Sequence, residues 1–331
     1  MRNNGEYEIR PLTANDIDAV IEIDRIAVGV SRRGYFEKRL VAATQRPKDY
    51  IYVGLHSQGN LQGFAFAKLV DGEFGRPGAS ASLDAIGIKS EQTHQGLGQL
   101  LLEAIKEVLA HKHAGTLTSQ VAWKNKSIMN FLISAGFKLS PRLVLTRSTQ
   151  EIPATLEEDT ADDGIEELDY SSPTSDDFAA LSRDKVPVRS MSEKDLPKII
   201  SIDRANTSID RREYYTQKLH ESLHESGVRV SLTAELEGFP VGFIMAQVDF
   251  GEFGRTGTEA VMDSIGVDPG YQQHGVGKAL MSHLMANLSI LRVETVRTEI
   301  NWNDINLIRY FDNVGFTPAQ RVTLSLDLGV L

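Results

Sequence analysis

The 331-residue chain contains no cysteine. That excludes disulfides, cysteine-bound zinc, iron–sulfur clusters and thiol nucleophiles, and it fits a reducing compartment. Long apolar runs are missing too. None approaches the roughly 18 residues that a membrane span requires, and the opening residues MRNNGEYEIR lack the apolar stretch of a signal peptide. The expectation is a cytoplasmic protein with no membrane partner. Basic residues are in deficit, 35 Lys and Arg against 45 Asp and Glu for a net charge of −10, which argues against a nucleic-acid partner. The eight histidines show no metal-ligand spacing, and His111 and His113, two apart near a helix end, read as solvated, so no metal is expected.

What is present is organised by charge and by repetition. Between Glu151 and Asp184 stand twelve acids and one base, Arg183, so this segment carries −11 and the rest of the chain +1. With Pro153, Pro173 and several Ser and Thr, it reads as a self-repelling, extended linker rather than an acidic lure for a cationic substrate. On either side of it the sequence repeats at a constant shift of 179 residues: Asp24-Arg25 returns as Asp203-Arg204, Arg32-Arg33 as Arg211-Arg212, and Tyr35 as Tyr214. Gly72-Glu73-Phe74-Gly75-Arg76 returns as Gly251-Glu252-Phe253-Gly254-Arg255, Asp84 as Asp263, Trp123 as Trp302, Gly136-Phe137 as Gly315-Phe316, and Arg142 as Arg321. The chain is a duplication. Its expected parts are residues 1–148, a linker over 149–184, and residues 185–331.

Each copy reads as a mixed α/β unit of order β-α-α-β-β-β-α-β-α-β. In the first copy, Ile17, Val20, Ile21 and Ile23 mark a helix after a Thr13 or Asn15 cap, and a second helix surrounds Tyr35 to Leu40. Strands follow at Tyr50–Leu55, Gly63–Val70 and Leu83–Ile88, then a helix carrying Leu101, Ile105 and Val108, a strand ending near Trp123, and a helix breaking at Gly136. A last strand, Leu143 to Thr146, is expected to close the unit.

The second copy holds the most informative string. A buried strand ending Ile265-Gly266-Val267 runs into a loop, and Gln272-Gln273-His274-Gly275-Val276-Gly277-Lys278 opens a helix. Glycines admit a close ligand, and the free amides and positive dipole end of a helix N-terminus suit phosphate. By itself a Gly-x-Gly pair is as well explained by a tight turn, and the spacing fits neither the NTPase phosphate loop nor the dinucleotide fingerprint.

Together with the later "NVGF" at 313–316, these elements resemble the GCN5-related N-acetyltransferases, here as a tandem pair over roughly 10–146 and 187–328. The resemblance implies acetyl-CoA as co-substrate, bound by the loop from Gln272 with its pyrophosphate on the amides of Gln273 to Lys278, and its pantetheine added like a strand along Ile265, Gly266 and Val267. It also implies a strand bulge that frees an amide hydrogen near those residues for the thioester carbonyl. The first-copy counterparts are Ile86, Gly87 and Ile88, with His94, Gln95, Gly96, Leu97 and Gly98; Thr93 there replaces Gln272.

An ammonium of ordinary pKa ~10.4 is less than ~0.1% neutral at pH 7, so amine transfer calls for a base. Resemblance to the ribosomal-protein-type members puts that base at Glu299 and a general acid at position 311, which is Phe, with Tyr310 beside it. Asp263 and Glu252 are rival bases, although Asp263, next to a buried strand, reads more readily as a satisfied structural carboxylate. The first copy has Gln120 and Leu132 at the corresponding places, so the second copy is the one expected to turn over. Arg211, Arg212, Tyr214, Glu252 and Phe253 lie where the family lines its acceptor cleft, although their retention in both copies favours an architectural role. The reading is an acetyl-CoA-dependent N-acetyltransferase acting on a small-molecule or peptide primary amine by direct attack in a ternary complex. The alternatives are a CoA-binding protein without turnover and a first copy that serves as a scaffold or acceptor-recognition platform.

Overall fold

A computed structural model describes residues 6–71, 79–93, 95–149, 185–225, 228–250 and 257–329. The acidic stretch 151–184, both Gly-Glu-Phe-Gly-Arg strings and His94 fall outside these residues, and with them the candidate site residues Glu252 and Phe253.

In the first half Thr13 caps a 3-10 turn, with Asp16 Oδ2 accepting from the Thr13 amide at 2.8 Å. The turn feeds α1 (Ile17–Val28), whose Val20, Ile21 and Ile23 are buried as the apolar spacing requires, and Gly29 ends it in the left-handed region. After α2 (Arg33–Gln45) come β2 (Tyr50–Ser57), β3 (Asn60–Asp71), β4 (Ala79–Ile88), α3 (Leu97–His111), β5 (Thr116–Ala122), α4 (Lys126–Ser134), β6 (Lys138–Leu139) and β7 (Arg142–Ser148); β1 (Glu8–Pro11) precedes them all. The second half repeats the order as β8 (Val188–Ser190), α5 (Leu196–Thr207), α6 (Arg212–His220), β9 (Leu232–Leu236), β10 (Phe239–Phe250), β11 (Thr258–Val267), α7 (Val276–Ile290), β12 (Thr295–Asn301), α8 (Ile305–Asn313), β13 (Thr317–Pro318) and β14 (Arg321–Asp327). The expected α/β order is met in both, with a two-residue strand, β6 or β13, added before the last.

The last strands correct the expectation that each copy closes itself. One sheet runs β1-β2-β3-β4-β5-β14-β6, the other β13-β7-β12-β11-β10-β9-β8. Thus β7 of the first half lies antiparallel on β12, with Val144 opposite Glu299, and β14 of the second lies on β5, with Thr323 opposite Gln120. Leu145 is buried in the second half's core and Leu324 in the first's. Alternating apolar residues define a strand but not the edge it joins, and duplication makes the two edges nearly equivalent.

Helices cover both faces of each sheet: α3 and α4 enclose one core in the first half, α1 and α2 another around Phe36, Phe64 and Phe66. The central strands then part. β4 and β5 pair in parallel only from Ser80 with Thr116 to Ser82 with Thr118, and β11 and β12 only from Glu259 with Thr295 to Val261 with Arg297. Beyond that point the two strands of each pair part.

Candidate active site

The opening of β11 from β12 is accompanied by a break in register. Met245 faces Ser264 whereas Ala246 faces Met262, which leaves Asp263 as the extra residue of a bulge; Asp84 occupies the same position in the first half. The bulge therefore lies just ahead of Ile265–Val267, earlier than the sequence suggested. Past it, Ile265, Gly266 and Val267 pair with Ile244, Phe243 and Gly242 on one side only. Gly266 is required by packing, since an added Cβ would stand 2.6 Å from the Phe243 ring.

The strand ends at a loop that several side chains brace. Asp268 accepts from the Gly270 amide and from Lys198 Nζ at 2.7 Å. Asn206 of α5 donates to the Val267 carbonyl at 2.9 Å and accepts from Gln272 Nε2 at 2.8 Å, while His274 Nδ1 lies 2.7 Å from the Gln272 carbonyl. Gln273 and Gly275 are left-handed, at φ 63° and 80°, and turn the chain into α7 at Val276. Nothing lies within 4 Å of a Cβ built on Gly275. The space beside Gly275 is thus open, and the first turn of α7 that follows it carries Val276, Gly277 and Lys278; the opening amides of a helix are the donor set that a pyrophosphate needs. Burial depresses the Lys278 ammonium below its ordinary value. In the first half Ile86, Gly87 and Ile88 pair with β3 in the same way, and Gly96, at φ 78°, precedes Leu97 and Gly98 at the start of α3 with Gln95 before it. Both halves thus share the same passage from a strand paired on one side, through a left-handed glycine, into a helix.

The catalytic assignments fare differently. Glu299 is only 2% exposed and sits on the seam between the halves. Arg142 Nε donates to its Oε1 at 2.9 Å, and Gln120 Nε2 and Thr323 Oγ1 donate to its Oε2 at 2.8 and 3.2 Å. A carboxylate so enclosed is a structural anion, which corrects its reading as a general base. Tyr310 is corrected as well: its hydroxyl donates to the Gly277 carbonyl at 2.8 Å, burial pushes its pKa up, and its ring stands 3.1 Å from a Cβ built on Gly277. Phe311 belongs to the core.

Asp263, the extra residue of the bulge, is paired as well. Lys218 Nζ donates to its Oδ2 at 3.1 Å, and both side chains are buried. Next to it Ser264 Oγ lies 3.2 Å from the Tyr214 hydroxyl, which places Tyr214 against the bulge. Arg211 instead turns inward. Its Nε donates to Asp203 Oδ2 at 2.9 Å, a second guanidinium nitrogen bonds Oδ1, and the Tyr215 hydroxyl joins them. Arg32 and Asp24 repeat this clamp in the first half. The clamp joins α5 to α6, the architectural role that retention in both copies favours for Arg211 over a substrate contact; Arg212 is exposed at the start of α6. Lys218, Ser264 and Asn206 were missed. Lys218 had a signal, lying four and seven residues after Tyr214 and Arg211 on one helical face; Asn206 had none.

A cavity of about 420 Å³ lined by Lys124, Glu259, Glu294 and Arg321 opens at the other end of β11 and β12, far along the strands from Gly275. Among the described residues no cluster of acids and histidines could hold a metal ion, and no helix is long and apolar enough to cross a membrane.

Residues 196–316 match the sequence model of the Acetyltransferase (GNAT) family. The ribosomal protein bS18-alanine N-acetyltransferase of Escherichia coli K12 is 36% identical over 61 residues, 18% of this chain and 41% of that protein, and its Salmonella typhimurium counterpart is 33% identical over the same length. The chain thus spans about two fifths of the length of the curated relatives it matches. Among solved structures, a tandem GNAT protein from the clavulanic acid biosynthesis pathway superposes with a TM-score of 0.61 at 17% identity, covering 98% of this chain and 99% of that one. A GCN5-related N-acetyltransferase from Sphaerobacter thermophilus gives 0.59 at 14%, covering 97% and 96%. These two likenesses extend the fold over the whole length.

Proposed function

We propose that this protein is an acetyl-CoA-dependent N-acetyltransferase acting on a primary amine, with its working cleft in the second half, since residues 196–316 match the sequence model of the GNAT family and the whole chain has the fold of a tandem GNAT protein. One observation carries the reading. Strand β11 bulges at Asp263, parts from β12, and runs into an open left-handed glycine at the head of α7. Acetyl-CoA supplies an acetyl group activated as a thioester. The α7 amides at 276–278 hold its pyrophosphate, Lys278 adds charge, and the one-sided backbone of Ile265–Val267 takes the pantetheine as a further strand. An amide freed at the bulge polarises the carbonyl.

With Glu299 engaged on the seam, Asp263 is the carboxylate positioned to take the ammonium proton, directly or through a water, so that the neutral amine attacks in a ternary complex. The acceptor is a small-molecule or peptide amine. Loss of the Tyr310 hydroxyl to Gly277 favours a second reading, CoA binding without turnover. Thiol release with a panel of amines, beside calorimetric CoA titration, decides between them. Turnover with at least one amine is expected, and Asp263→Asn is expected to lower it by about 100-fold or more at unchanged CoA affinity; saturable binding with no turnover for any amine selects the second reading.

A further inference from the structure

Most features that face the clefts are duplicated, but one buried charge chain is not. Arg46, at the end of α2 in the first half, reaches the second: its Nη1 donates to Glu221 Oε1 at 2.5 Å. Glu221 follows α6, where the helix passes into a π turn, Glu221–Glu225. Its carboxylate also accepts from Gln217 at 3.0 Å and feels Lys68, on β3 of the first half, and Lys218 one helical turn back. Lys218 in turn donates to Asp263 at the bulge. The signs alternate along the chain: Arg46 positive, Glu221 negative, Lys218 positive, Asp263 negative. Lys68, Lys218, Glu221 and Asp263 are all buried, so little water screens them from one another.

Shifted by 179 residues, Asp263 and Lys218 fall on Asp84 and Arg39, which keep their charge types. The bridging residues do not. Glu221 falls on Ala42, Arg46 on Glu225 and Lys68 on Gln247. The bridge therefore runs one way, from the first half into the second half's cleft. Lys218 bears on two carboxylates, and whatever neutralises Glu221 leaves more of the ammonium's field to Asp263.

We propose that Arg46 and Lys68 of the first half are positioning residues for the second half's cleft: by holding the charge of Glu221 they commit Lys218 to Asp263 and set how readily that carboxylate takes a proton. The charged and titratable groups along the chain include Tyr214 and Lys218 from α6, Glu221 from the π turn, Arg46 from the end of α2 and Lys68 from β3, and Arg46 also meets Asp49 at 3.8 Å and the Tyr50 hydroxyl at 3.1 Å. The catalytic meaning rests on Asp263 being the base proposed above; the coupling itself does not.

The sign of the coupling is testable. Without Arg46, the charge on Glu221 draws Lys218 away, Asp263 is less stabilised as an anion, and its pKa rises. Without charge on Glu221, Lys218 acts on Asp263 alone and the pKa falls. A carboxyl-carbon NMR titration on the full chain reads Asp263, assigned by the resonance that Asp263→Asn removes. Arg46→Met is expected to raise its midpoint and Glu221→Gln to lower it, each by roughly half a pH unit or more, with Arg46→Lys restoring the wild-type value. Lys68→Met is a second route to the upward shift should Arg46→Met fold poorly. Midpoints that stay put, or move in the same direction in Arg46→Met and Glu221→Gln, overturn the proposal. Opposite shifts without turnover on any amine uphold the coupling and reject the transferase reading, whereas turnover with unmoved midpoints rejects the coupling alone.

Discussion

Glu221 shows how burial and charge compete at one residue. Burial raises a carboxylate's pKa, yet Lys68, Lys218, Gln217 and Arg46 together hold this one down from its ordinary 4.5 to about 2. A carboxylate depressed in the folded state contributes stability that is present above about pH 4.5 and is lost as the pH falls toward 2. Glu221→Gln is accordingly expected to lower stability near neutrality and to flatten its decline across that window, as read by denaturant melts at stepped pH; a decline as steep as wild type removes Glu221 from the acid response. None of this was legible in the sequence, since Glu221 and Arg46 lie 175 positions apart and match nothing in the repeat. Glu299 illustrates the opposite failure. Its place on the strand was found correctly, but counting along one copy cannot reveal that Arg142, from the other copy, closes on its carboxylate.

At the scale of elements, the passage from β11 to α7 is the part that sequence described best. Its signals are local: an apolar strand, a left-handed glycine and a helix start within a few residues of one another. Because Gly275 is left-handed but has no atom within 4 Å of an added Cβ, strain and occupancy can be separated there. Gly275→Ala is expected to cost about 1–2 kcal/mol of stability from backbone strain alone and to keep CoA affinity within a few-fold. Gly275→Glu carries the same strain and also places bulk and negative charge before the α7 amides, so calorimetry should find CoA binding to the second half abolished. Equal affinities for the two variants would remove the phosphate site from this loop. The bulge was less legible, because an extra residue in a strand is defined against its partner strand, and Asp263 becomes extra only opposite Met245 and Ala246.

Across the whole molecule, exchange of β7 and β14 makes the two copies depend on each other. Each sheet is completed by a seven-residue strand of the other half, and the exchanged strands carry Arg142, Leu145, Thr323 and Leu324 into the partner's seam and core. Duplication told how many units there are, but the route of the last strand past Ser140 and Pro141 was not written in any periodicity. A half expressed alone leaves the edge of β5 or β12 open, a row of backbone groups without their ladder. The fragment 185–331 should therefore be poorly folded and fail to bind CoA, and co-expression with 1–149 should recover both folding and binding in a single complex on gel filtration. Cutting the intact chain at a protease site placed within 150–184 should leave the halves associated, since β7 and β14, the strands exchanged between them, lie outside the cut segment. Should 185–331 by itself melt cooperatively and bind CoA as tightly as the full chain, the exchanged strands contribute nothing that its own β14, folded back onto β12, cannot supply.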